Sequence, residues 1–135
     1  MLPRSRSIRL HMHLNDKPEF VELRRMATWE AYQRYRRERP VDAPCRLCEK
    51  KSIAEYEHWL LQINDFPYDR FADVHHMLVS RVHTSEAELP AAAYTELRQL
   101  KTTFGKHYDY LIESLPGTFS IPDHFHVHLL TIQKT

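Results

Sequence analysis

The stretch HFHVHLL, His124 to Leu130 near the end of a 135-residue chain, constrains the fold more than any other. Imidazole and apolar side chains alternate there at a period of two. An extended backbone sends successive side chains to opposite faces. His124, His126 and His128 then share one face, and Phe125, Val127 and Leu129 share the other. The spacing predicts a strand over 124–132 whose apolar side packs on a helix and whose imidazoles line a surface cleft. Thr, Lys or Glu would solvate a merely structural face equally well, so three imidazoles point to chemistry.

The partners of that strand are legible in outline. Residues 19–39 read as a helix, with Phe20, Leu23, Ala27, Ala31 and Tyr35 as its buried stripe and Pro40 as its stop. Arg24, Arg25, Arg34, Arg36 and Arg37 are expected in solvent. Residues 40–52 read as a loop, 55–64 as a strand, NDFPYDRFAD as a turn-rich connection and 75–82 as a second strand. Ser85 and Glu88 make an S-x-x-E capping pattern, and Pro90 falls in the first turns of the following helix. Ala93, Leu97, Leu100, Phe104, Tyr108 and Leu111 step by three and four, which predicts one long amphipathic helix. LPGTFSIPD breaks it. Antiparallel strands with separate helices make an α+β fold with a sheet of about five strands. The expected organisation is one domain over 1–135: a basic extension with a helix over 1–40, and a core over 41–135.

Hydrophobic residues form 42% and charged residues 27% of the chain, a globular composition rather than a disordered one. No apolar run approaches the ~20 residues that span a bilayer, and the basic start lacks a signal-peptide core. No membrane association and a cytoplasmic location are expected. Net charge is +1, but residues 1–39 hold ten Lys and Arg against five Asp and Glu. A solvated Arg-rich helix accounts for that excess better than a nucleic-acid surface, so nucleic-acid affinity should be weak and salt-dependent.

Cys45 and Cys48 form CxxC in a loop approached by two prolines. Without a thioredoxin-like strand before it, the pair reads as a metal half-site rather than a redox motif. Two more ligands must come from elsewhere. For the histidine strand two chemistries stay open on spacing alone. Three alternate imidazoles can hold zinc with a bound water, or one can be a nucleophile oriented by its neighbours. His75 and His76 point opposite ways on their strand, one toward solvent and one partly buried. Trp29 and Trp59 are core candidates.

HFHVHLL fits H-φ-H-φ-H-φ-φ, and in this the chain resembles the histidine triad family. INDFPYDRFADVHHMLVSRVH resembles that family's strand–turn–strand segment, closing on a histidine, and CxxC lies upstream as in many members. The likeness runs from about Cys45 to Thr131. It implies a structural zinc held by Cys45, Cys48, His83 and His124. It also implies His126 as nucleophile and His128 as the contact to phosphate or leaving group. Ser120 resembles the serine on the leaving-group side, one residue further out than the family places it. Glu113 or Ser114 stands where the family carries an asparagine, and Asp65 and Phe66 stand where it places the nucleoside.

The activity so implied is nucleotide phosphate hydrolysis, or nucleotidyl transfer, through a nucleotidyl-histidine on His126. Hydrolysis is favoured because His128 stands where the transferase branch carries Gln. The resemblance further implies a homodimer. Two other readings remain at this stage: a zinc-braced nucleotide-binding or interaction module without efficient catalysis, and a three-histidine zinc hydrolase.

Overall fold

Five strands form one antiparallel sheet in the order β1-β2-β3-β5-β4, within a computed structural model that describes residues 22–115, 121 and 123–134. In chain order the elements are α1 (Met26–Glu38), a helical turn α2 (Arg46–Glu49), β1 (Ala54–Glu55), β2 (Trp59–Ile63), β3 (Ala72–Ser80), α3 (Ala91–Phe104), β4 (Tyr110–Ile112) and β5 (His126–Ile132). The expected α+β architecture with about five strands is what the chain adopts.

The strand of alternating histidines lies inside the sheet. β5 pairs β3 on one side, Met77 opposite His128 and Val79 opposite His126, and pairs β4 on the other. Its apolar face does what the period of two requires. Phe125, Val127 and Leu129 join Trp59, Leu61 and Leu78 of the sheet with Ala93, Leu97 and Phe104 of α3 in the main core cluster. The Trp59 indole N–H donates to the Ala93 carbonyl at 2.9 Å, so a large ring is buried without an orphaned donor.

Several element boundaries differ from the sequence reading, each for a physical reason. α3 stops at Phe104 and does not run to Leu111. Thr102, Thr103 and Gly105 are weak helix formers, and the chain beyond them gains more as an edge strand on β5. Tyr108 and Leu111 still pack on the core, from a turn and from β4, so burial alone kept the three-and-four spacing going. Ser85 makes no side-chain cap; a 3₁₀ turn spans Glu86–Glu88, and Pro90 itself is the N-cap of α3. The loop 40–52 holds a helical turn that opens at Cys45. β3 begins earlier than 75, at Ala72, with a register shift between Ala72 and Val74.

The largest correction concerns α1. It begins at Met26, and its one buried residue is Tyr32; of the expected stripe Leu23, Ala31 and Tyr35 are half-buried, as is Thr28, whereas Ala27 is exposed; Phe20 lies outside the described residues. The rings of Tyr32 and Tyr35 pack on Phe66, at 5.1 and 5.3 Å between centroids. Arg24 is not in solvent. Its guanidinium lies 4.4 Å from the Tyr32 ring centre and 4.9 Å from that of Tyr68, and its Nε donates to the Phe66 carbonyl. Guanidinium on an aromatic face is attractive, and that contact draws the start of the helix inward.

Asp69 completes the attachment. Arg25, the N-cap residue, offers no side-chain cap; instead the Asp69 carboxylate accepts from the Arg25 backbone N–H at 2.7 Å and from the Thr28 hydroxyl. A cap is thus supplied from the β2–β3 connection. Hydrogen bonds from Arg25 and Thr28 hold the Asp69 carboxyl below its ordinary value against the opposing effect of desolvation, which is the largest single influence. Loss of a cap costs about 1 kcal/mol. Asp69→Ala should therefore speed amide exchange across 26–38 several-fold while β3 and β5 keep their protection; unchanged exchange in α1 would show that the ring contacts alone hold it.

Candidate functional site

Two groups of side chains meet on the sheet face opposite α3. The first is a cluster able to hold a metal ion: one donor atom each from Cys45, Cys48, His83 and His124, all within 4.8 Å of one another. Cys45 and Cys48 flank the opening of α2, His83 follows β3, and His124 leads into β5. Cys48 Sγ lies 3.2 Å from His83 Nδ1 and 3.4 Å from His124 Nδ1, and Cys45 Sγ lies 3.5 Å from His124 Nδ1. The cysteines are not joined in a disulfide. His124 Nε2 lies 2.6 Å from the Ser80 carbonyl. Since a carbonyl only accepts, the proton sits on Nε2 and Nδ1 is left unprotonated toward the thiols, as ligation requires. Partial desolvation, then Cys45, then the Glu49 carboxylate push the Cys48 thiol up. A cation between the sulfurs would reverse that pressure.

The second group is the rest of the histidine face. His126 and His128 are each 5% exposed, so they are covered and do not line the open surface cleft expected from the alternation. Tyr68 of the 64–71 connection and α2, whose Leu47 packs on Met77 and Val79, provide the cover. Its edge rings are Tyr68, 5.2 Å from His128, and Tyr32 and Tyr35 over Phe66.

His75 belongs to this group. It is 4% exposed, neither in solvent nor merely a satisfied core residue, and its Nε2 lies 2.7 Å from His128 Nδ1. The shortest hydrogen bonds assign the protons of the row, against a longer approach of the Asn64 Nδ2 amide to His75 Nε2 at 3.4 Å. The Tyr68 backbone N–H must donate, and it points at His75 Nδ1 at 3.0 Å. His75 therefore carries its proton on Nε2 and donates to His128 Nδ1. That leaves the His128 proton on Nε2. His126 has the opposite arrangement: its Nδ1 lies 3.0 Å from the His124 carbonyl, so Nδ1 holds the proton and Nε2 is a bare lone pair. Adjacent rings, 5.2 Å apart, thus offer one lone pair and one N–H.

Burial keeps these rings neutral. It lowers His75 to about 2, helped by His128 and Arg24, and lowers His128 to about 3, helped by His126 and Arg24. His126 is also lowered by burial, against the raising effect of its bond to the His124 carbonyl, with His124 and Arg46 adding to the depression. Lowered from its ordinary value, the His126 imidazole is a free base at neutral pH.

The other expected site residues fall differently. Asp65 is exposed and bonded to Lys50, whose Nζ lies 2.7 Å from each carboxylate oxygen. Phe66 is packed under α1, with the Arg46 guanidinium 5.4 Å from its ring centre, and presents no free face to a base. Glu113 follows β4 and is exposed; its charged neighbours are Glu86 and Lys101, not the histidines. Ser120 lies outside the described residues. His76 is half-buried on the α3 side, with Nδ1 2.5 Å from the Tyr108 hydroxyl.

The residue the sequence reading passed over, His75, left a usable signal. Counting by twos along β3 puts His75 with Met77 and Val79, and antiparallel pairing sets those beside His126 and His128. Only the adjacent His76 obscured it.

Two measurements test this geometry. Metal analysis should find one ion per chain, lost in Cys45→Ser together with thermal stability and kept in His128→Ala; the reverse pattern would move the metal onto the three histidines. Acid should destabilise the fold through His75 and His128. Both ordinarily titrate at 6.5 and are strongly depressed when folded, so below 6.5 the unfolded chain binds more protons and stability falls with pH. Each group contributes up to about 1.4 kcal/mol per pH unit. Between pH 6.5 and 5, His75→Gln should lose Tm less steeply than the unaltered chain at equal metal content; an identical slope would refute the neutral pair.

No family model matches the chain, and no curated protein matches it in sequence. A crystal structure of HTC1 aligns over 82% of this chain and 76% of its own, with a TM-score of 0.47 and 18% identity, a likeness too distant to assign a family.

Proposed function

We propose that this protein cleaves a nucleotide at its α-phosphate through a covalent intermediate on His126, braced by a structural zinc. The observation that carries the proposal is the pairing of tautomers on a buried face. A lone pair on His126 Nε2 stands beside a proton on His128 Nε2, and neither can exchange roles while the His124 carbonyl and the Tyr68 N–H hold their partners. The likeness of HFHVHLL and its upstream segments to histidine triad proteins points to the same chemistry.

His126 Nε2 attacks phosphorus, a P–N bond forms, and the bond to the leaving oxygen breaks. The neutral His128 Nε2–H donates a hydrogen bond to that oxygen, which departs as the anion, and water then hydrolyses the P–N bond, returning the lone pair to His126 Nε2 and releasing its proton with the phosphate product. His75 keeps the His128 ring oriented and its Nδ1 occupied through both steps. Burial removes competing water and strengthens these contacts. Transfer to another acceptor would follow the same first step.

Zinc suits the four-residue cluster: two thiolates and two imidazoles make a closed tetrahedral shell, for which Zn–S of about 2.3 Å and Zn–N of about 2.0 Å imply sulfur–nitrogen edges close to those present. Such a shell fixes His124, and with it the carbonyl that orients His126. A three-histidine zinc hydrolase has less support, because His124 turns Nδ1 to the thiols and gives Nε2 to the Ser80 carbonyl, and His128 Nδ1 is taken by His75. The non-catalytic binding module draws support from one feature, the near-complete burial of His126 and His128.

Turnover of adenosine and guanosine phosphoramidates, dinucleoside polyphosphates and nucleotide sugars decides between these. His126→Ala should abolish activity with metal content and melting temperature nearly unchanged, since the loss falls on the transition state. His128→Ala should slow the reaction less. An acid-labile, base-stable phosphorus adduct on His126 is expected after quenching. Full activity in His126→Ala would end the covalent reading, and silence across the panel would leave the binding module.

A further inference from the structure

A cavity of about 580 Å³ lies outside the histidine row, between the C-terminal half of α1, the 40–46 segment and the rim of the metal cluster. Its walls carry three guanidiniums, Arg36, Arg39 and Arg46, against one carboxylate, Asp123, with Tyr32, Tyr35 and Ile121 between them. Neither His126 nor His128 lines it.

The three arginines are not equally engaged. Arg39 donates to the Tyr35 hydroxyl at 2.6 Å and to the Pro44 carbonyl, and lies 3.7 Å from a Glu49 oxygen. It is a structural strut. Arg46 stands over Tyr35 and Phe66, 5.4 Å from each ring centre, and its Nε is buried without an acceptor. Arg36 stands over Tyr32 at 5.6 Å. Among the described residues no carboxylate lies within ion-pair distance of Arg36 or Arg46. Arg46 Nε is enclosed by protein and out of a ligand's reach, but the Arg36 and Arg46 side chains line the cavity, and charges usually find partners when a protein places them in a concavity.

We propose that this cavity is an anion site for a phosphate-bearing ligand, held by Arg36 and Arg46 and separate from the histidine row. Guanidinium forks match phosphate oxygens in pairs. Stacking on tyrosine fixes the planes of both arginines before the ligand arrives, which lowers the ordering cost of binding. The volume falls in the range of small-molecule sites and exceeds what inorganic phosphate fills, and Tyr35, Ile121 and Val41 supply an apolar wall beside the charges. The occupant is a multiply charged phosphate, either free or as the tail of a nucleotide.

The test is calorimetric titration of inorganic pyrophosphate, and separately of adenosine triphosphate, into the metal-loaded full chain. Pyrophosphate should bind saturably, one per chain, and at least about tenfold more weakly in Arg36→Gln and in Arg46→Gln. Arg36 is exposed, so its replacement leaves the fold intact even if that of Arg46 does not. Arg98→Gln, on the outer face of α3, should bind as the unaltered protein does. Tighter binding of the triphosphate than of pyrophosphate, weakened alike in Arg36→Gln and kept in His126→Ala, identifies a nucleotide occupant; equal binding identifies the phosphate alone. Binding must survive in His126→Ala, where any turnover is already lost, so this result is independent of the catalytic reading. No saturable binding at millimolar pyrophosphate, binding indifferent to both arginines, or binding lost with His126 would each overturn the proposal.

Discussion

Everything in this molecule hangs on β5 serving two faces at once. Its backbone is hydrogen-bonded on both sides, to β3 and β4, so its side chains cannot rotate out of register. One face drives Phe125, Val127 and Leu129 into α3. The same burial that stabilises the fold therefore sets the height and direction of His124, His126 and His128 on the other face. Rings positioned by a central strand are held more rigidly than rings on a loop. A slip of one residue would bury the imidazoles under α3 and turn the phenyl and aliphatic groups toward the metal cluster.

On that rigid base the direction of each hydrogen bond follows from backbone groups that have no choice. The Ser80 and His124 carbonyls accept, and the Tyr68 N–H donates. Three main-chain groups thus settle four imidazoles. No carboxylate is needed to orient them, which fits rings that stay uncharged. A carboxylate beside His75 or His128 would favour the protonated ring and spoil the difference between neighbours.

The sequence made the strand faces, the metal cluster and the fold class legible, because each depends on spacing that local geometry converts directly into position. Cys45, Cys48, His83 and His124 do converge. What stayed hidden depends on contacts between distant segments. Arg24 looked like a surface residue until the rings of Tyr32 and Tyr68 gave its cation a place to lie. Phe66 looked available until α1 covered it. Tyr108 and Leu111 kept a helical rhythm although the helix ends at Phe104, since periodicity reports burial and says nothing of what kind of backbone does the burying. Asp65 sits at the expected turn yet faces Lys50, because an exposed carboxylate pairs with the nearest cation.

The rings beside the histidine face form one connected stack. Phe66 touches Tyr32, Arg24 lies on Tyr32 and Tyr68, and Tyr68 lies 4.3 Å from His75 and 5.2 Å from His128. The segment that leads into α1 is thereby tied to the buried imidazoles through a single tyrosine. Whatever shifts Tyr68 shifts both the backbone N–H that orients His75 and the seat of Arg24, so the attachment of the helix and the proton pattern of the row are not independent.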